Sequence, residues 1–265
     1  MELSFALAIV ERPTQDRMPA GLNVMTRQDI HNSDIPELCR SCEARHGGIC
    51  GALNPEQLTE LSKHTKRVRV TSGDELLSAE EPIDRYANVL RGVVKLSKLL
   101  EDGRQQIVGL QFAPDLLGRP FGETSTVTAE AATDAELCVF SKSALEGAVS
   151  GSHAVTSRLH EQALRELDEA RDWMLTLGRK TAREKVASFI KLIVVASRPD
   201  RETDEQLVRL TLPLTRSEMA DFLGLTIETV SRQMTALRKD NVIEVGRGQD
   251  ITVLDLNRLV TASGA

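Results

Sequence analysis

Between Leu53 and Phe140 the apolar positions come in short runs, each closed by turn-forming residues. RVRV (67–70), ANVLRGVVKLSKLL (87–100), QQIVGLQF (105–112) and AELCVF (135–140) are punctuated by Ser72-Gly73-Asp74, Arg91-Gly92 and Glu101-Asp102-Gly103. Many short strands at close spacing predict a barrel-like or sandwich β-domain. Residues 1–35 have weak periodicity and several breakers, which predicts a mobile leader. Met18 and Met25 offer later translation starts within it.

The period then changes from two to about three and a half. Val155 to Leu177 contains no Gly or Pro, and Ala163, Leu167, Ala170, Met174 and Leu177 recur at spacings of four and three. Such a seam presents an apolar stripe to another helix. The stripe suits packing within one domain or pairing of two chains. Its length, and its place between two domains, favour a dimer helix. A second helix is predicted over 182–196, with Val186, Phe189, Ile190 and Ile193 on one face, ended by Arg198-Pro199-Asp200.

The stretch LPLTRSEMADFLGLTIETVSRQMTALRKDNVIEVGRGQDITVL (212–254) carries the most specific pattern. Thr215 with Glu218 three residues on makes a capping box for a short helix through Phe222. Gly224 supplies the tight turn. Thr226 caps a second helix with Thr229 at its third position, and Val230, Met234 and Leu237 share one side. Glu228, Ser231 and Arg232 lie early on the other side, as in a helix-turn-helix that offers polar residues to base edges. Arg bonds guanine in bidentate fashion, Glu accepts from the cytosine amino group, and Ser contacts base or phosphate. EVGRGQDITVL then reads as a hairpin wing, with Gly246 and Gly248 in its turn.

Composition changes this picture little. The chain has 265 residues, 41% hydrophobic and 27% charged, with net charge -6 and a pI of about 5.5. The acidic balance argues mildly against nucleic acid, so a basic footprint has to be local. Arg179, Lys180, Arg183 and Lys185 form one cluster; Arg232, Arg238 and Lys239 form another. No run approaches the roughly 18 apolar residues of a membrane span, and MELSFALAIVERP lacks a basic n-region and a cleavage site. A cytoplasmic protein is predicted. Of the five His, none sits in a catalytic motif, and no nucleophile–base pair is present, so no enzyme is expected.

The thiols are the remaining chemistry. Cys39, Cys42 and Cys50 give C-x2-C-x7-C, and Cys138 follows 88 residues later. In the cytosol such a group points to metal more than to disulfide. Spacing alone fits zinc and a 4Fe–4S cluster equally. His46 adds the alternative C-x2-C-x3-H-x3-C, close to a zinc knuckle, which would leave Cys138 a spare strand thiol.

With TIETVSRQMTALRK and its E-x-x-S-R, the sequence resembles the CRP/FNR family of bacterial transcription regulators, in its FNR-type, oxygen-sensing branch of the α-proteobacterial kind, over about residues 37–258. The resemblance implies an α+β chain: a leader (1–35), a Cys-ligated β-roll sensor like a cyclic-nucleotide-binding jelly roll (36–150), a dimerisation helix (151–180) and a winged helix-turn-helix (181–265). It implies a homodimer that places Thr226, Glu228, Ser231 and Arg232 on double-stranded DNA at a TTGAT-N4-ATCAA-like palindrome, and contact with RNA polymerase, for which the 101–104 turn is the positional candidate. It further implies a 4Fe–4S cluster on Cys39, Cys42, Cys50 and Cys138, screened by Ile49, whose loss in oxygen lowers DNA affinity and so controls anaerobic or microaerobic genes. Zinc, haem or nitric oxide, or no effector, are the alternatives. Cyclic nucleotide is disfavoured, because Phe121-Gly122-Glu123 is followed by TSTVTAEAA without the Arg that would pair with the phosphate. The uncharged seam residue Ala170 suggests a dimer that outlasts the cofactor.

Overall fold

The computed structural model describes residues 35–40, 42, 44–197 and 207–264. The leader before residue 35 and the Arg198-Pro199-Asp200 stop lie outside them. The described chain begins with α1 (Glu37–Arg40), α2 (Ala44–Gly47), a 3-10 turn over Ile49–Ala52 and α3 (Pro55–Lys63). Asn54 starts α3 with a complete capping box to Gln57, and Pro55 occupies its first turn.

Eight strands follow: β1 (Thr65–Val70), β2 (Glu75–Leu77), β3 (Arg85–Arg91), β4 (Val94–Leu99), β5 (Gln105–Gln111), β6 (Leu116–Leu117), β7 (Thr128–Ala131) and β8 (Ala135–Ser141). They form two antiparallel sheets, β1-β8-β3-β6 and β2-β7-β4-β5. The long apolar run 87–100 divides into β3 and β4 at Gly92, whose φ is +85° and where a Cβ would stand 2.5 Å from the Asp134 carbonyl oxygen. Only glycine fits there.

Strand alternation decides which side chains meet. Ala87, Val89 and Leu137 point between the sheets, against Val94 and Ala129. Tyr86 and Phe140 point the other way and share a second core with Ile49, Leu58, Leu145 and Val155. Asn88 and Cys138 stand on that outer face as well. The outer face is covered by α3, by α4 (Lys142–Ser150) and by the start of α5 (His153–Arg179).

α5 is the long helix, capped by Ser152, and α6 (Ala182–Ala196) is capped by the Thr181/Glu184 box. The rest is β9 (Val208–Thr211), α7 (Arg216–Leu223), α8 (Ile227–Lys239), β10 (Ile243–Val245), β11 (Asp250–Val253) and α9 (Leu256–Ala262). The wing has three strands, ordered β10-β11-β9. Val186, Phe189, Leu214, Met219, Val230 and Leu237 form the core beneath it, which also takes in Ile107 from β5.

A buried ion-pair cluster links the β2-β7-β4-β5 sheet to α7. Lys95 in β4 is 9% exposed at its side chain and sits 2.7 Å from Glu130 of β7 and 2.5 Å from Glu218 of α7. Burial alone would lower the lysine's pKa, but the two carboxylates outweigh it and raise it. Burial would likewise raise that of Glu218, yet Lys95 and the Thr215 cap pull it below the ordinary range. The Glu218 contribution is therefore present above the unfolded carboxyl value and is lost as pH falls through its depressed folded value. The Lys95 contribution is present below the unfolded amine value and is lost as pH rises through its raised one. K95M leaves two carboxylates without their cation and should cost roughly 3 kcal/mol in urea unfolding at neutral pH. That deficit relative to the unsubstituted chain should shrink in acid.

Candidate functional site

β8 lies between β1 and β3, and the register sets Cys138 opposite Arg67 on one side and Asn88 on the other. The other thiols arrive on the segment preceding the sheets. Cys39 is in α1, with its N–H bonded to Pro36 O at 2.8 Å; Cys42 follows, and Cys50 lies in the 3-10 turn. Arg67 Nη2 donates to Leu38 O at 2.7 Å, fastening α1 to the sheet, and Asn88 Nδ2 donates to Cys50 Sγ at 3.4 Å. The Asn88 Oδ1 is buried with no partner.

All four thiols are free and partly buried. Burial pushes Cys50 up to about 12, and Cys138, Cys39 and Cys42 push the same way. Cys138 is also pushed up to about 12, by burial and then by Cys42 and Cys39, with Arg67 opposing. Cys39 is raised by burial and by Cys42, against Arg45 and Arg67. The four sulfurs thus share one electrostatic neighbourhood. A thiolate-binding cationic centre would relieve that repulsion and displace protons. Among the described residues, no three His, Cys, Asp or Glu side chains gather as ligands of a single metal ion. His46 is exposed and its Nε2 meets Arg45 Nη2 at 3.3 Å, with no thiol bonded to it.

The second constellation is the reading helix. Thr215 and Glu218 form the capping box of α7, Gly224 closes it at φ 59°, and the Thr226 hydroxyl accepts from Thr229 N at 3.2 Å to start α8. Val230, Met234 and Leu237 are buried, while Thr226, Glu228, Ser231 and Arg232 are exposed. Arg232 Nη2 donates to Thr229 Oγ1 at 3.0 Å. The Glu228 carboxyl is held below its ordinary value by its own N–H and the Thr226 hydroxyl. Ile227 is exposed beside them, and its apolar side chain, which the polar pattern of the sequence does not single out, suits a thymine methyl. Of the basic run at 179–185, Arg183 pairs with Asp240 at 2.6 Å and Lys180 with Ser188 at 2.8 Å. Those two are partly committed inside the protein.

α5 leaves its stripe bare. Ala163, Leu167, Ala170 and Met174 are exposed, together with Leu164 and Leu175; Leu177 is half-buried within the chain. Trp173 turns inward instead, its ring 4.5 Å from Phe222 of α7.

Where a phosphate-binding turn would lie, the Phe121 N–H is bonded to the Glu146 carboxylate at 3.1 Å, which also accepts from Tyr86 OH at 2.9 Å. Lys142 Nζ donates to Gly122 O at 2.6 Å.

Residues 184–262 match the Crp-like helix-turn-helix domain, and residues 67–152 match the cyclic nucleotide-binding domain. The chain is 51% identical over 235 residues to a probable transcriptional activator of Rhizobium leguminosarum bv. viciae, covering 89% of this chain and 97% of that one. It is 40% identical to the transcriptional activator protein FnrL of Cereibacter sphaeroides, covering 85% and 92%. Among solved structures, FixK2 from Bradyrhizobium japonicum is similar, with a TM-score of 0.67 and 31% identity over 76% of this chain and 98% of that one.

Removing the cap in T226A should lower the melting temperature by about 3 °C, read by circular dichroism, as the first turn of α8 loses its acceptor.

Proposed function

The chain belongs to the Crp/FNR family of transcription regulators, and we propose that it is a dimeric activator whose grip on a TTGAT-N4-ATCAA-like palindrome depends on a 4Fe–4S cluster. Cys39, Cys42, Cys50 and Cys138 would hold the cluster. The observation that carries this reading is the approach of the N-terminal segment to β8: Asn88, paired with Cys138 across the strands, donates to Cys50 Sγ at 3.4 Å, and Arg67, paired with Cys138 on the other side, holds Leu38 O at 2.7 Å beside Cys39. The donor set is all sulfur, and the exposed His46 stands apart, which favours a cluster over a zinc knuckle. Bound there, such a cluster supplies an oxygen-labile bond between the N-terminal segment and β8.

The chain's own residues do the rest. Ile49, 1% exposed, closes the apolar side of the thiol loop. Arg67 and Arg45 set positive charge beside the sulfurs, which favours thiolate. The bare stripe of α5 meets a second copy, and two α8 helices then face successive major grooves about one helical turn apart. Ala170 puts no charge in that seam, so the dimer outlasts cofactor loss and oxygen acts by reorienting the helices. Cyclic nucleotide is not the effector: the amide at Phe121 is taken by the protein's own Glu146 carboxylate, and the partnering Arg is absent. The exposed turn after β4, where Asp102 pairs with Arg104 at 2.8 Å, is assigned to RNA polymerase. No helix among the described residues is long and apolar enough to cross a membrane, and work on operator DNA places the protein in the cytoplasm.

Anaerobically purified protein should be coloured, with iron and sulfide at about four each per chain, and C138S should be colourless. A colourless, zinc-loaded or iron-free native protein refutes the cluster. R232A should weaken operator binding roughly tenfold or more and relax the preference at the guanine of TTGAT, measured by gel shift across single-base variants. Size-exclusion should give a dimer both with and without air; a monomer in air would restore a dissociation switch.

A further inference from the structure

The thiol loop touches α5 directly, and among the described residues its polar contact is made by Arg158. Arg158, in the second turn of α5, donates from Nη2 to Gly47 O at 2.7 Å, with a weaker contact to His46 O at 3.5 Å. Its Nη1 is held on its own helix by Glu161 at 3.3 Å. Gly47 lies between Cys42 and Cys50, and from the other side it is pressed against Pro114: a Cβ at position 47 would stand 2.8 Å from the Pro114 ring. The loop backbone is therefore gripped between the turn after β5 and the guanidinium. Beside this polar contact runs an apolar one, because Ile49 shares a core with Val155 and the partly buried Leu159. Residues 155, 158 and 159 lie on one face of a helix. The seam starts at Ala163, five residues or roughly 7.5 Å further along the axis, on an adjacent face.

We infer that Arg158 is the positioning residue that couples the thiol loop to the dimerisation helix, an inference that rests on the function proposed above. A helix is stiff over this distance. A loop that holds the first turns of α5 by a charged hydrogen bond and an apolar plug sets the rotation of the helix about its axis. Rotation at Arg158 re-aims Leu167, Ala170 and Met174 toward or away from the second copy, and with them the paired reading helices. The guanidinium suits the task because its fork of donors reaches a backbone carbonyl while its other arm stays on Glu161. A lysine ammonium is a point charge and lacks that second arm.

The test compares the unsubstituted chain with R158M, which keeps the aliphatic stem, and with R158K. In R158M the visible absorption per chain after anaerobic purification should match the unsubstituted protein. Its anaerobic operator affinity should fall roughly tenfold, the scale of one charged hydrogen bond. The ratio of anaerobic to air-exposed affinity should collapse toward one, and R158K should recover only part of it. A purely structural role would lower melting temperature and leave that ratio, taken per cofactor-loaded chain, intact, which overturns the inference. So does an R158M affinity within twofold of the unsubstituted protein. Hydrogen exchange of the air-exposed proteins needs no cofactor and separates this idea from the cluster itself. Exchange should quicken in residues 48–53 and 155–162 together in R158M. Quickening in the loop alone overturns the coupling, even where the unsubstituted protein proves colourless and the cluster reading has failed.

Discussion

The ring of Phe222 fixes where the reading half of the molecule sits. It lies 4.5 Å from the Trp173 ring of α5 and 5.7 Å from the Phe189 ring of α6, while the Phe222 carbonyl accepts from Gln106 of β5 at 3.2 Å. One residue of an eight-residue helix is thereby held by the long helix, by its own domain and by the sensor sheet. Aromatic pairs of this kind add on the order of 1 kcal/mol each beyond the area they bury. Because α7 passes to α8 through a single left-handed turn at Gly224, immobilising α7 also sets the pose of the exposed face that carries Glu228, Ser231 and Arg232.

At the other end of α5 a different economy operates. Cys39, Cys50 and Cys138 have raised proton affinity, and ionising them beside one another is costly unless a cation takes the protons' place. Arg67 serves twice there: its guanidinium fastens Leu38 O, and its charge opposes the mutual repulsion of the sulfurs. The long helix lies between these two assemblies. Its inward residues, Val155 near one end and Trp173 near the other, belong to different cores. Its outward residues belong to neither.

The parts legible in the sequence were those governed by local rules. Thr215 with Glu218 and Thr226 with Thr229 are side chains acting on backbone three residues away, Gly224 is a backbone allowed to turn left-handed, and each stands where the pattern puts it. The heptad stripe is likewise a matter of spacing. α3 carries an equally local start signal in Asn54-Pro55 and Gln57, inside a region whose short apolar runs otherwise predict strands. β9 is four residues long and owes its conformation to pairing with β11, so nothing local announces it. Lys95 reads as an ordinary solvent-facing strand residue. Its burial follows from Glu218, 123 positions away. The resemblance implies Cys138 as a ligand, yet its neighbours Arg67 and Asn88 depend on register across two strand pairs, which spacing does not encode.

Glu218 divides its two oxygens between two tasks. Oε2 accepts from the Thr215 N–H and hydroxyl at 2.8 Å each, closing the first turn of α7, and Oε1 meets Lys95 in the sensor sheet. If the reading half unfolds, a buried ammonium in the sensor loses one of its two counter-charges. If the sensor unfolds, the cap of α7 keeps its geometry but gives up its cation, and Ile107 leaves the reader's core. Neither half can then melt without raising the free energy of the other. Unfolding of the β-roll and of the C-terminal half is thereby coupled, and damage at either end is shared as instability by both.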